Sequence, residues 1–345
     1  MALLKKKDTK LTEQEKVEER REEVLAKGRK FKYPLQWTKH RIVINTILIT
    51  VVTLALIIAG GWLALYRLGM TNDLLFRVTE ILPVSVAKVD DESTRFSDYL
   101  MFYRSSMTSV ERQSGSQFDE GSIEELRNEY KRAALSEAEQ YTYATKLAKE
   151  QDITVSDEEV ANEFERHLKI GGVDRSEESF LKIVKDNFGL DKSEYQRMLY
   201  LTLIKAKVEI AIDTTANNLA NKVETILKNN NDDYAKVADE LGDKIVYEET
   251  GGLVDSKNID GGRATEAMKL EPGASSGKFV SMNGDGYYFV KLIKKTDTEV
   301  NFVSIKVPFT EFEKRFDVLK NENKIYEYIK IPTQDSDEFN DASNE

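Results

Sequence analysis

Residues 149–169 read KEQDITVSDEEVANEFERHLK. Ser156 and Glu159 stand three apart, the spacing of a capping box, in which each side chain accepts from the other residue's backbone amide. The spacing predicts a helix from there, with Val160, Phe164 and Leu168 four residues apart on one inward face. Gly171-Gly172 ends it. An earlier apolar face runs up to Ala148, so the stretch contains a helix end, a short turn and a helix start.

Working outward, the same signals recur. On the N-terminal side, Ser122 and Glu125 have capping-box spacing, and the face is Ile123, Leu126, Tyr130, Ala133, Ala134, Tyr141, Ala144 and Ala148. Before it, Phe96, Tyr99, Leu100, Tyr103, Met107 and Val110 predict another helix, separated by a flexible break at Gln113–Gln117. Val84–Val89 alternates in part and reads as a strand. On the C-terminal side, a helix is expected from Ser176 to Phe188, stopped by Gly189. Asp191 and Glu194 open a long fifth helix through Tyr195, Met198, Leu199, Thr202 and Ala206, extending to about Leu227. Five amphipathic helices cannot each bury a face alone, so residues 84–216 are expected to form one helical domain.

Composition removes several chemistries. With no cysteine, disulfides, thiolate metal sites and cysteine nucleophiles are excluded. Two histidines, His40 and His167, leave little for a histidine metal site or a Ser-His-Asp triad. Gly251-Gly252 and Gly261-Gly262 are not followed by Gly-Lys-Ser/Thr, so no phosphate loop is read. No metal or cofactor is expected. Asp90-Asp91-Glu92 and Glu248-Glu249 read as solvated carboxylates, and His167 as a boundary side chain. The formal net charge of −11 argues against nucleic acid as a partner.

That sum hides a division. Ile42–Tyr66 carries no charged residue and is bounded by Arg41 and Arg67. At about 1.5 Å per residue it makes roughly 37 Å of helix, enough to cross a bilayer with some tilt. Trp62 and Tyr66 stand at its far end, where aromatic side chains prefer the interface. Residues 1–41 hold 13 basic and 7 acidic side chains, net +6, which leaves −17 for the rest. The basic flank places residues 1–41 in the cytoplasm and the C-terminal bulk outside a cell membrane. Within the tail, Leu11–Ala26 reads as a solvated helix, with Thr12 and Glu15 as its capping box.

Beyond Asn229-Asn230-Asn231 the character changes. Short helices are expected at Tyr234–Leu241 and Thr265–Leu270. Strands are expected at Lys278–Met282 and Tyr287–Ile293, joined by Asn283-Gly284-Asp285-Gly286, and again at Thr298–Val307. A final helix is read over Phe309–Ile329, within a C-terminal segment 308–333. Residues 334–345 are acidic, lack an apolar pattern and read as disordered. The fold class is α+β.

The stretch that opened this section resembles the N-terminal region of SurA-like periplasmic chaperones, in which a helix and a turn precede a segment like Ile153–Val160. Glu177–Phe180 and Glu194–Met198 continue the resemblance, which covers about residues 84–212. Residues 217–307 resemble a parvulin-type prolyl isomerase domain. The matching pieces are Asp233–Ala238, Gly251-Gly252-Leu253, Leu270–Ser276 and Gly286–Leu292, in the family's order. The family's opening strand, with an Arg-His-Ile-Leu pattern, is missing between Asp213 and Ala216, and Tyr288 stands where the family has a histidine. Val300–Val307 has the shape of the missing strand, so a circularly permuted sheet is expected, with Ser304 near the place of the other histidine.

The resemblance implies a buried polar network beneath an apolar proline pocket. Tyr288 and Ser304 occupy the catalytic-equivalent positions, and Met268, Phe279 and Tyr288 are the candidate substrate-binding residues. Without the histidines, binding is favoured over catalysis. The expected function is a membrane-anchored folding factor, similar to SurA and PrsA, that binds unfolded or nascent secreted polypeptides through a degenerate parvulin domain and a helical chaperone domain. Tyr99, Met101, Tyr103, Met107, Tyr141 and Tyr143 are candidates for an adaptable client surface or for core. An active prolyl isomerase and a non-catalytic scaffold of a membrane assembly are the alternatives.

Overall fold

The computed structural model describes residues 13–114 and 120–332, without the side chains of 29–40, 113–114 and 120–122. Thr12 of the expected tail cap, the Gly115–Gln117 part of the expected break and the acidic tail 334–345 lie outside these residues. The chain divides into two bodies, one ending at Ala64 and one from Leu65 onward.

The first body is one helix, α1 (Glu13–Trp62). The stretch Arg41–Arg67 is long and apolar enough to cross a membrane, and none of its most apolar window is buried in the structure. Ile42, Leu48, Leu54 and Ile58 all face outward.

The second body starts with α2 (Asp73–Ile81), capped by the Asn72 side chain, which accepts from the Leu75 amide at 3.0 Å. A hairpin follows, β1 (Ser85–Val89) and β2 (Glu92–Arg95), antiparallel, with Asp90 in the left-handed region at its turn. Then come α3 (Phe96–Ser114), α4 (Glu120–Glu150), α5 (Asp157–Leu168), α6 (Glu177–Phe188) and α7 (Lys192–Ile212). The capping box at Ser156/Glu159 is present in full, and Val160, Phe164 and Leu168 are buried as their spacing requires. Gly189 adopts the left-handed conformation that closes α6. The α4 helix starts at Glu120, before the expected Ser122 cap, so Ser122 lies inside it.

The expected single helix from Asp191 to Leu227 is broken at Asp213. Its carboxylate accepts from the Ala216 amide at 2.8 Å and starts a new helix, α8 (Thr214–Asn229). Aspartate is a strong N-cap, and capping outcompetes continuation here. α9 (Tyr234–Leu241) follows, capped by Asp233.

The C-terminal sheet runs β3 (Val246–Glu249), β7 (Glu299–Pro308), β6 (Gly286–Lys295), β5 (Phe279–Val280), all antiparallel. β4 (Val254–Asp255) also pairs with β7. In the central pair, Tyr287 faces Val307, Phe289 faces Ile305, and Leu292 faces Phe302. Odd-numbered residues Tyr287, Phe289, Val303, Ile305 and Val307 pack on α8 and α9. Even-numbered Val290, Leu292, Val300 and Phe302 pack on α10 (Arg263–Met268). Burial on both faces explains why β6 reads as a continuous apolar run. Gly286, at φ 152°, sits so close to the Val307 carbonyl that a Cβ would collide with it.

The expected C-terminal helix to Ile329 is shorter. α11 (Glu311–Asn321) ends before Asn323, which is left-handed, and β8 (Ile325–Glu327) then pairs with β1. Phe312, Phe316 and Leu319 of α11 join Tyr143, Leu147, Ile204 and Val208 in one core. The C-terminal segment therefore completes the helical bundle, and α8 through β7 is an insertion between α7 and α11.

Candidate binding cleft between bundle and sheet

The α10 face of the sheet brings Tyr288 and Ser304 together. Val290 faces Ser304 and Tyr288 faces Lys306 in the register, so all four point to one side. Ser304 is 1% exposed and Tyr288 4%. From α10, the Arg263 guanidinium donates to Ser304 Oγ at 3.3 Å, pairs with Glu248 of β3 and lies 5.2 Å over the Tyr288 ring. Glu248 is exposed, as read from sequence, and pairs with Arg263 from the rim of the sheet. The Tyr288 hydroxyl donates to Asp285 Oδ2 at 3.5 Å, and Lys306 pairs with the same carboxylate. Burial pushes the Tyr288 phenol above its ordinary range, and the Asp285 charge adds to this. Burial also works to raise Asp285, but hydrogen bonds from Lys306 and Ser281 outweigh it and hold the carboxyl down. The network closes on itself as two ion pairs around a tyrosine.

Phe279 stacks on Tyr288, with centroids 6.0 Å apart and planes 27° apart. Met268 and Phe279 both pack against the Val290, Leu292 and Phe302 core. Tyr99, Met101, Tyr103, Met107 and Tyr143 are buried in the bundle, so these do not form an open surface.

The open apolar surface lies elsewhere. Between α5, α7 and the 256–262 loop is a cleft of about 750 Å³. Its apolar wall includes Met198 and Leu203 of α7, Ile259 of the loop, Met268 of α10, and Met282 of the β5–β6 turn. Ile259 is 76% exposed and Met282 53%, so both are open to an incoming apolar segment. A second cavity of about 610 Å³ shares Arg166, Leu203 and Met282 and runs along α7 to Glu209 and Phe309.

The mouth is charged. Glu163 pairs with Arg166 and lies 3.2 Å from His167 Nε2, whose other ring nitrogen meets the Tyr195 hydroxyl. Burial alone would raise Glu163, but these hydrogen bonds hold it at about 2. Glu209 is pushed up to about 7, chiefly by burial, against the opposing Lys205 charge. Among the described residues, no group of three or more His, Asp or Glu is placed to hold a metal.

Of the sequence candidates, Met268 alone reaches this cleft. The signal for the rest was α7, whose Met198, Leu199, Leu201, Leu203 and Ile204 cover more than one face. Such a helix has either neighbours all round or an open apolar side.

A family model for the SurA-like N-terminal domain matches residues 35–208, half of the chain. No curated protein matches the chain.

Proposed function

The chain belongs to the SurA-like N-terminal domain family, and from that premise we propose a single-pass, membrane-anchored folding factor that holds unfolded secreted or envelope polypeptides in its cleft. The family implies a chaperone that binds unfolded clients. The single observation that carries the reading is the cleft, with exposed Ile259 and Met282 opposite Met198 and Leu203. Methionine adapts its shape to varied side chains, which suits a site for many sequences. The anchor is Arg41–Arg67, and the basic flank before it favours an extracytoplasmic second body.

The inserted sheet is a degenerate, permuted parvulin-like domain in this reading. β7 lies between β3 and β6, the place expected for the strand missing at Asp213–Ala216, which supports the permutation. Ser304 and Tyr288 are buried and tied to Arg263 and Asp285, which supports binding without catalysis. Neither side chain is the histidine that the family's network has at that place, and a fold alone does not supply its usual activity.

The full chain in lipid nanodiscs, added to a chemically denatured test protein, is expected to suppress its aggregation near stoichiometric amounts. No suppression at stoichiometric excess contradicts the reading. Turnover of a proline peptide that is abolished by Tyr288→Phe contradicts its non-catalytic part.

A further inference from the structure

The first residues of the second body bear on how it meets a membrane. Leu65 is buried at 5% exposure. The Tyr66 hydroxyl donates to the Ser85 carbonyl of β1 at 2.6 Å, and its ring meets Phe96 of α3 edge-on at 5.7 Å. These are the last residues of the apolar stretch that ends at Arg67. Whatever holds Tyr66 at a bilayer interface therefore holds β1 and α3 beside it.

Only residues 68–72 separate Arg67 from α2. That helix has two apolar sides. Leu75 and Phe76 are buried, whereas Leu74 is 73% exposed, Val78 41% and Ile81 83%. Positions 74, 78 and 81 fall on one helical stripe. Leu82, Leu68 and Met70, on either side of α2, are exposed as well. Among the described residues, nothing covers this stripe.

We propose that the α2 stripe docks the second body onto the outer leaflet, with Leu74, Val78 and Ile81 in the boundary between headgroups and acyl chains. The proposal rests on Arg41–Arg67 spanning the bilayer. Continuity selects lipid as the occupant, because the stripe begins seven residues after a span whose end is packed into the same domain. Gly69–Thr71 also lines a cavity of about 470 Å³ whose wall carries Arg104, Arg127 and Lys131 together with Glu111 and Glu124, so the docking rests on the apolar stripe and not on charge. A domain held this way presents its cleft at a fixed height above the membrane.

The chain has no cysteine, so single cysteines can carry an environment-sensitive fluorophore. The full chain is reconstituted in phosphatidylglycerol/phosphatidylcholine vesicles with labels at Leu74→Cys, Ile81→Cys, Leu54→Cys within the span, and Lys182→Cys on α6, whose side chain is 77% exposed. Labels at Leu54, Leu74 and Ile81 are expected to shift to the blue, brighten several-fold and be quenched by nitroxide-bearing lipids. The Lys182 label stays water-like. If Leu54 is embedded while Leu74 and Ile81 match Lys182, docking is refuted and the anchor stands. A water-like Leu54 refutes the anchor and docking together. A blue shift at Leu74 that lipid nitroxides fail to quench identifies a protein occupant and also refutes docking.

Discussion

Asp213 Oδ2 accepts from the amide of Thr310, 97 positions further along the chain, at 2.7 Å. The same oxygen accepts from Glu311 at 3.0 Å, while Oδ1 caps α8 through Ala216. One carboxylate, 1% exposed, thus fixes both ends of the inserted sheet domain to the bundle.

Replacing it severs one buried and two part-buried hydrogen bonds at once. A lost cap costs about 1 kcal/mol, and buried amides left unsatisfied cost about 1–3 kcal/mol more. Asp213→Ala is expected to lose about 3 kcal/mol in urea denaturation and to loosen protection of the Thr310 and Glu311 amides in hydrogen exchange. Unchanged stability contradicts the shared-cap role.

The Glu139 side chain on α4 is 3% exposed, and its Oε1 has no hydrogen-bond partner among the described residues. Burial first, then the nearby Glu327 charge, raises the carboxyl from 4.5 to about 8. The folded state therefore holds a proton that the unfolded state releases. This contribution is full below about pH 4.5 and fades as pH rises through about 8. Denaturation midpoints are expected to fall between pH 5 and pH 8, and Glu139→Gln is expected to flatten that slope and to stabilise the protein at pH 8. An unchanged slope in Glu139→Gln removes this group as the cause.

Gly286 is held at φ 152° against the Val307 carbonyl. A Cβ there must displace the central strand pair, so Gly286→Ala is expected to cost about 2 kcal/mol or more. Thermal unfolding reads the effect. Because the strain sits in the β6–β7 pair, the loss is expected in hydrogen exchange of that pair before that of α4 and α7.

Ile259 and Met282 are exposed, so their replacement by aspartate is expected to change stability by no more than about 0.5 kcal/mol. Ile259→Asp with Met282→Asp is expected to weaken aggregation suppression several-fold at unchanged melting temperature. Full activity in the double variant places client binding away from the cleft.

Local signals carried much of the fold. The Ser156/Glu159 box, the Ser176 and Gly189 ends of α6, α9 over Tyr234–Leu241 and the β5–β6 hairpin all follow from residues within a few positions of one another. What escaped depends on distant partners. β8 is a strand because Ile325–Glu327 meets Val89–Ala87 of β1, and no local pattern names that partner. α11 is bundle core because Phe312 and Phe316 meet Tyr143 at 5.4 and 5.9 Å. The break at Asp213 was legible in principle, since Asp-Thr-Thr is a cap signal, but the apolar pattern runs through it. That Tyr288 and Ser304 lie near one another on the sheet was implied by the resemblance. Arg263, Glu248 and the Ile259/Met282 mouth did not, since loops and a six-residue helix bring them there.

The claim that unfolded polypeptide occupies the cleft is tested most directly by photocrosslinking. A benzophenone is placed on the otherwise cysteine-free chain at Met282→Cys, at Met198→Cys, or at Val318→Cys, a half-exposed control on α11. Irradiated with a denatured client, the full chain in nanodiscs is expected to crosslink from positions 282 and 198 and not from 318. Equal yields from all three positions, or a yield from 318 alone, contradict the cleft as the binding site.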